Sequence, residues 1–143
     1  MTTALSTPIA ADAIDLVGMW RLVSATTWRN GELRDPQALG PQAGGYINYV
    51  SEGRMMVVLD RGSQAQFGEQ YGSEPIFAYA GRYTRRGGVV LHHLEMCTRA
   101  EHVGTDYVRE IEVAGDHLVL CTEPLRRGEN VYVSKLEWER VTS

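Results

Sequence analysis

The sequence predicts an all-β fold, an antiparallel barrel or sandwich, and three observations predict it. Eight segments are rich in β-branched and aromatic residues. Short glycine-bearing links of the kind found in tight hairpins separate several of them. Only one short stretch has helical character. The segments are WRLVSATTW (20–28), GYINYV (45–50), RMMVVLD (54–60), FAYAGRYT (77–84), VVLHHLEMC (89–97), TDYVREIEV (105–113), HLVLCT (117–122) and VYVSKLEWERV (131–141). The links are Glu52-Gly53, Arg86-Gly87 and Ala114-Gly115, and IDLVG (14–18) reads as a helical turn capped by Asp12 or Asp15. Residues 61–75, RGSQAQFGEQYGSEP, lack strand character and are long enough to cover a barrel mouth.

With 143 residues, 43% of them hydrophobic and 22% charged, the chain suits one domain with a real core. That domain spans 14–143 behind a loose tail, 1–13. The net charge of −4 is spread without blocks, which gives no electrostatic basis for nucleic acid or an anionic membrane as partner. Arg85-Arg86 and Arg126-Arg127 read as solvated turn charges. MTTALSTPIAADAID has neither a basic region nor a long apolar run, and no later segment is a membrane span, so a soluble cytoplasmic protein is expected. Cys97 and Cys121 are too few and too far apart for a disulfide framework or a zinc site, and read as inert buried thiols.

Hairpin register assigns faces. A two-residue turn at Arg86-Gly87 places Tyr83 opposite Val90, Gly81 opposite His92, Tyr79 opposite Leu94 and Phe77 opposite Met96. This face is aromatic and aliphatic apart from His92, so His92 points inward and His93 outward, with Gly81 leaving room for an imidazole or a ligand. A turn at Ala114-Gly115 pairs Ile111 with Leu118, Arg109 with Leu120 and Tyr107 with Thr122, turning Arg109 inward among apolar neighbours. A buried guanidinium needs a carboxylate, carbonyls, water or a ligand. Asp60 is the candidate carboxylate within the chain. Alternation adds Trp20, Leu22, Ser24, Thr26 and Trp28 from one strand, and Tyr132, Ser134, Leu136, Trp138 and Arg140 from another. In the hairpin 45–60 both faces are apolar, and either Tyr49 with Met56 or Asn48 with Val57 faces inward.

The stretch LVGMWRLVS (16–24) resembles the Gly-x-Trp opening of lipocalins and other calycins, in which the tryptophan closes one barrel end beneath an arginine of the last strand. Gly18, Trp20 and Arg140 in LEWERV match those positions. Together with GYINYVSEGRMMVVL, AYAGRYT, VVLHHLEM, HVGTD and the Ala114-Gly115 turn, the chain from about Leu16 to Val141 resembles the short bacterial and fungal lipocalin-like domain family. The resemblance implies an eight-stranded barrel. It also implies a use either as a passive binder or as a cyclase or isomerase of secondary metabolism. Family members often carry a longer, partly helical segment after the strand ending near Asp60, where this chain has the glycine-rich 61–75 link.

An eight-stranded barrel is either filled by side chains or holds one small ligand. The inward polar set favours a small organic ligand, largely apolar and carrying an anionic oxygen. His92, Tyr79, Tyr107 and Arg109 are the candidates for cofactor-independent acid–base chemistry (isomerisation, dehydration or cyclisation), and Trp28, Tyr83, Met96, Ser24, Thr26 and Ser134 are the candidate lining. A non-catalytic carrier or sensor is the alternative, as is a filled barrel acting through protein contacts, and a homodimer stays open. No phosphate loop, nucleophile elbow or metal motif is present, and His93 with Glu95 would make at most a two-ligand exterior pair, so neither metal nor cofactor is expected.

Overall fold

Period-two alternation gives each strand an inner and an outer face, and residues 54–60 show it without interruption. Met55, Val57 and Leu59 are buried, while Arg54, Met56, Val58 and Asp60 are exposed. The computed structural model describes residues 10–62 and 75–142. Among these lie ten strands: β1 (Gly18–Arg29), β2 (Glu32–Asp35), β3 (Gly44–Tyr49), β4 (Arg54–Asp60), β5 (Ile76–Arg86), β6 (Val89–Cys97), β7 (Asp106–Ala114), β8 (His117–Cys121), β9 (Leu125–Arg127) and β10 (Asn130–Arg140). They form one antiparallel sheet in the order β2-β1-β3-β4-β5-β6-β7-β8-β10-β9, and β1 also pairs with β10. The sheet is therefore closed by the eight strands other than β2 and β9. Those two, ELRD and LRR, are short, polar and exposed along their length, and add an outer edge to β1 and β10.

Both predicted hairpin registers are off by two residues. Arg86 pairs with Val89 and Ala114 with His117, so the turns are Gly87-Gly88 and Gly115-Asp116. In each, glycine takes the first central position at positive φ, 59° for Gly87 and 64° for Gly115. The tight hairpin turns require positive φ there, and the sequence reading had put glycine second. Because the side-chain period is two, a shift of two changes partners without changing faces. His92 is fully buried and His93 lies on the outer face, bonded to Thr84 and Asp106. Tyr83, not Gly81, stands opposite His92, and Ile111, not Arg109, stands opposite Leu120.

Two β-bulges do change faces. In β1 the register against β10 shifts between Leu22 and Ser24, leaving Val23 as the extra residue. Trp20 and Leu22 face in before it, and Ala25 is the buried residue after it. Ser24, Thr26 and Trp28, all expected inside, thereby belong to the outer face. The Trp28 indole N–H donates to Thr26 Oγ1, and the Lys135 ammonium, which also reaches Glu112, sits 5.0 Å from the Trp28 ring. In β6 the register shifts at Glu95, so Met96 is 67% exposed rather than inward. The middle hairpin joins neither predicted combination. Its loop is Ser51–Gly53, Tyr49 pairs with Met55, and Tyr49 and Val57 face in while Asn48 and Met56 face out.

One end of the barrel is shut by Trp20. Its indole N–H donates to the Leu16 carbonyl at 2.9 Å, and the Arg140 guanidinium lies 4.1 Å from the ring centroid. Arg140 also donates to the carbonyls of Val17 and Asp15, at 2.7 and 2.6 Å. Residues 14–17 are not helical: Ile14 and Leu16 are buried in the plug, and Arg85 donates to the carbonyls of Ile14 and Ala11. The open end carries the helical piece of the described residues, a 3-10 turn at Ala100–His102. The expected mouth-covering loop falls on residues 61–75, of which 63–74 lie outside the described residues, as does 1–9 of the expected tail.

Candidate functional site

β5, β6, β7 and β8 bring the chemistry-bearing side chains together, and they converge on two adjoining spaces. The larger is a cavity of about 490 Å³ at the open end, lined by Phe77, Arg99, His102, Tyr107, Arg109 and Glu123, among others. The smaller is a void of about 30 Å³ deeper in the barrel, lined by Tyr79, His92, Arg109, Thr122 and Trp138 against aliphatic side chains. Phe77, Arg109 and Thr122 line both, so the void adjoins the inner side of the cavity.

Arg109 stands at that junction. Its guanidinium lies 4.7 Å from the Tyr107 ring and donates to the Val108 carbonyl at 3.2 Å. Among the described residues no carboxylate pairs with it. Asp60, the sequence candidate, is exposed and accepts from the Gly62 amide instead. Arg99, which pairs with Glu101 at 3.5 Å, and Arg127 line the same cavity, as does Glu123. The mouth is therefore a cationic rim over an aromatic wall, even though the chain as a whole is acidic.

His92 lies between two phenols. Its Nε2 is 2.6 Å from the Tyr49 hydroxyl and its Nδ1 is 2.7 Å from the Tyr79 hydroxyl. Burial first, then Arg109 and His93, holds its pKa well below the ordinary 6.5, so the ring is neutral. Burial likewise raises Tyr49 well above 10.0, so it stays a phenol. With both nitrogens engaged, His92 orients Tyr79 within the chain of hydrogen bonds. Nearer the mouth, His102 Nδ1 is in short hydrogen-bond contact with the Tyr107 hydroxyl. Burial, followed by Cys97 and Tyr79, pushes the Tyr107 phenol up from its usual value.

The structure thus gathers four of the predicted side chains, His92, Tyr79, Tyr107 and Arg109. Tyr83 is packed toward the closed end, where its hydroxyl donates to the Val50 carbonyl and its ring meets Tyr49 edge-on. Ser134 keeps the inward phase of Leu136 and Trp138, and its amide donates to Thr122 Oγ1 at 2.9 Å. Ser24, Thr26, Trp28 and Met96 stand apart from the site. Met96 lines an outer-face apolar groove with Met56, Ala78 and Ala80. The reading missed Tyr49, whose face was undecided, and His102, which sits in a turn without periodicity. It also missed Thr122 and Trp138 as site residues, although register had placed both inward.

Among the described residues no three His, Cys, Asp or Glu side chains are grouped to hold a metal ion. On the outer face Glu95 pairs with Arg54 and Arg82, and His93 with Thr84 and Asp106. Both cysteines are free, and burial, then Glu112, pushes the Cys121 thiol up to about 12. No helix of the described residues is long and apolar enough to cross a membrane.

A closed eight-stranded barrel, plugged by tryptophan under arginine and open over an apolar interior, has its counterpart among known families. The family model described as a lipocalin-like domain matches residues 17–141. The chain belongs to the lipocalin-like domain family. No curated protein matches it. Gly18 of the Gly-x-Trp opening has a φ of 130°, which side-chain-bearing residues rarely adopt, and a Cβ there would stand 2.8 Å from Arg140 Nη1 and push that guanidinium aside. A lipocalin-like barrel suits binding of small hydrophobic molecules.

Proposed function

We propose that this lipocalin-like protein binds a small, largely apolar organic molecule carrying an anionic oxygen, with the oxygen on Arg109 and the apolar body against Phe77, Tyr79 and Tyr107. The observation that carries this reading is Arg109 itself, facing a cavity at the entrance to the barrel without a carboxylate partner among the described residues. Arg109 is half-buried, and a guanidinium facing a cavity without a carboxylate is suited to a charge-assisted bond with an anionic ligand. Arg99, Arg127 and His102 add positive or proton-donating groups on the same rim.

The chemistry that fits is cofactor-independent isomerisation, cyclisation or dehydration. Arg109 would stabilise a developing enolate, Tyr79 would donate a hydrogen bond to a carbonyl, and the Tyr107–His102 pair would exchange a proton with the substrate. Confinement within about 490 Å³ would hold reacting ends close. The carrier or sensor is the second reading, favoured by the engagement of both His92 nitrogens, which removes the most obvious free base.

Titration with nonanoate and with nonanamide, on the native protein and on Arg109→Met, tests the binding reading. The expected result is nonanoate bound at least about tenfold more tightly than the amide, with the preference lost in the variant, as for a charge-assisted hydrogen bond. Equal losses for both probes would make Arg109 structural.

A further inference from the structure

The chain has three tryptophans, and the structure treats their indole N–H groups differently. Trp20 donates to the Leu16 carbonyl at 2.9 Å and Trp28 to Thr26 Oγ1 at 2.8 Å. Trp138 is 1% exposed, and its Nε1 has no hydrogen-bond partner among the described residues. It is not sealed into close-packed hydrocarbon, because Trp138 lines the deep void of about 30 Å³. That is room enough for a water-sized group, which needs about 10–15 Å³. A second donor lines the same void. Thr122 is 6% exposed, and its Oγ1 accepts from the Ser134 amide, which leaves its own hydroxyl proton to be given elsewhere. Most of the remaining wall, including Val57, Leu120 and Leu136, offers no acceptor.

We infer that this void is a one-oxygen subsite, in which Trp138 and Thr122 donate to a carbonyl or hydroxyl oxygen at the far end of the ligand that Arg109 holds by its anionic end. The inference rests on the binding reading above and adds the substrate class: a molecule with acceptor oxygens at both ends of an apolar body. The two spaces share Phe77, Arg109 and Thr122, so one ligand can span them. Without ligand, a water molecule takes the oxygen's place. Indole and hydroxyl donors in the wall of a mainly apolar space select for an oxygen, because an apolar terminus there leaves the donors unpaired.

The test uses nonanoate and the same acid with a keto oxygen beside its terminal methyl, titrated against the native protein and Trp138→Phe. The indole N–H signals are followed by NMR in parallel. The expected result is the keto acid bound about five- to tenfold more tightly by the native protein, the preference falling to near unity in the variant. The Trp138 indole proton should move downfield with the keto acid, while the Trp20 signal stays in place. Equal affinities for the two acids in the native protein overturn the subsite even though Arg109 binds both. Failure of both acids to bind overturns the binding reading and the subsite with it. If Trp138→Phe does not fold, the native protein's preference and the Trp138 shift decide the matter.

Discussion

The Tyr49 hydroxyl lies 2.6 Å from His92 Nε2, and among the described residues Tyr49 has no other hydrogen-bond partner. This fixes a direction. Tyr49 is fully buried, so its proton must be given to His92, because a buried O–H left unpaired costs about 1–3 kcal/mol. His92 Nε2 is therefore the acceptor, and the neutral ring carries its proton on Nδ1, which donates to Tyr79 at 2.7 Å. The Tyr79 hydroxyl proton is then committed elsewhere than to His92. A chain of hydrogen bonds that begins at a buried tyrosine thus reaches a side chain lining the void.

The first prediction concerns pH. His92 has a folded pKa well below its ordinary 6.5, chiefly through burial. A base shifted in this direction gives stability that is complete above the unfolded value and is lost as pH falls through it toward the folded value. His117 has the opposite shift, raised first by its hydrogen bond to Glu137 and opposed by its partial burial. It is common to both proteins compared here and cancels. Between about pH 7 and 5 the native protein should lose stability faster than His92→Gln, by up to roughly 1.4 kcal/mol per pH unit. Denaturant melts at several pH values measure the difference in slope, and parallel curves would show that His92 does not titrate on unfolding.

The second prediction separates two glycines of β5 and its turn. A Cβ on Gly81 would stand 1.8 Å from the His93 carbonyl oxygen, inside the bulged pairing with β6. A Cβ on Gly87 would meet nothing within 4 Å, and only its φ of +59° resists substitution. Gly81→Ala should cost about 3 kcal/mol or more by forcing two backbones apart. Gly87→Ala should cost about 1–2 kcal/mol, the strain of a left-handed alanine. Similar losses of melting temperature would mean that the strands at Gly81 part more easily than the bulge implies.

The same glycine shows what was legible in the sequence. Inward and outward faces of β5 to β8 could be read because alternation survives a slip of two residues, so His92, Tyr107 and Arg109 were assigned correctly with the wrong partners. Gly81 was read as space for a ligand, whereas the bulge fills that space with the His93 carbonyl. A bulge inserts one residue and carries no strong composition signal, so everything beyond Val23 in β1 and beyond Glu95 in β6 was turned inside out. Trp28 and Met96 were lost for this reason alone. His102 and the 3-10 turn had no period to betray them, and β2 and β9 were too short and polar to read as strands.

The third prediction follows from the displaced Met96. It is 67% exposed and away from both the cavity and the void, so Met96→Gln should change stability by no more than about 0.5 kcal/mol. It should also leave nonanoate affinity unchanged. A marked loss of binding would mean that β6 slips back to unbulged pairing in solution, which would return Met96 to the interior.

The last prediction concerns the closed end, where two contributions of Arg140 can be told apart. Its guanidinium stacks on Trp20 at 4.1 Å, and its two terminal nitrogens hold the carbonyls of Val17 and Asp15. Trp20→Ala removes a fully buried indole and should cost about 3–5 kcal/mol through the cavity left behind. Arg140→Met retains an apolar stem over the ring but loses the charge and both hydrogen bonds. The stack is worth about 0.5–2 kcal/mol, and each bond to a charged donor about 1.5–3 kcal/mol before solvent competition. Arg140 is exposed, which lowers the total, so the variant should lose about 2 kcal/mol. The local signature is more telling than the total. Hydrogen exchange should accelerate at the amides of residues 13–18 in Arg140→Met while those of β5 and β6 keep their protection, because the arginine pins the plug rather than the barrel wall. Uniformly faster exchange throughout the barrel would instead place Arg140 in the cooperative core, and its bonds to Asp15 and Val17 would then be incidental to its contribution.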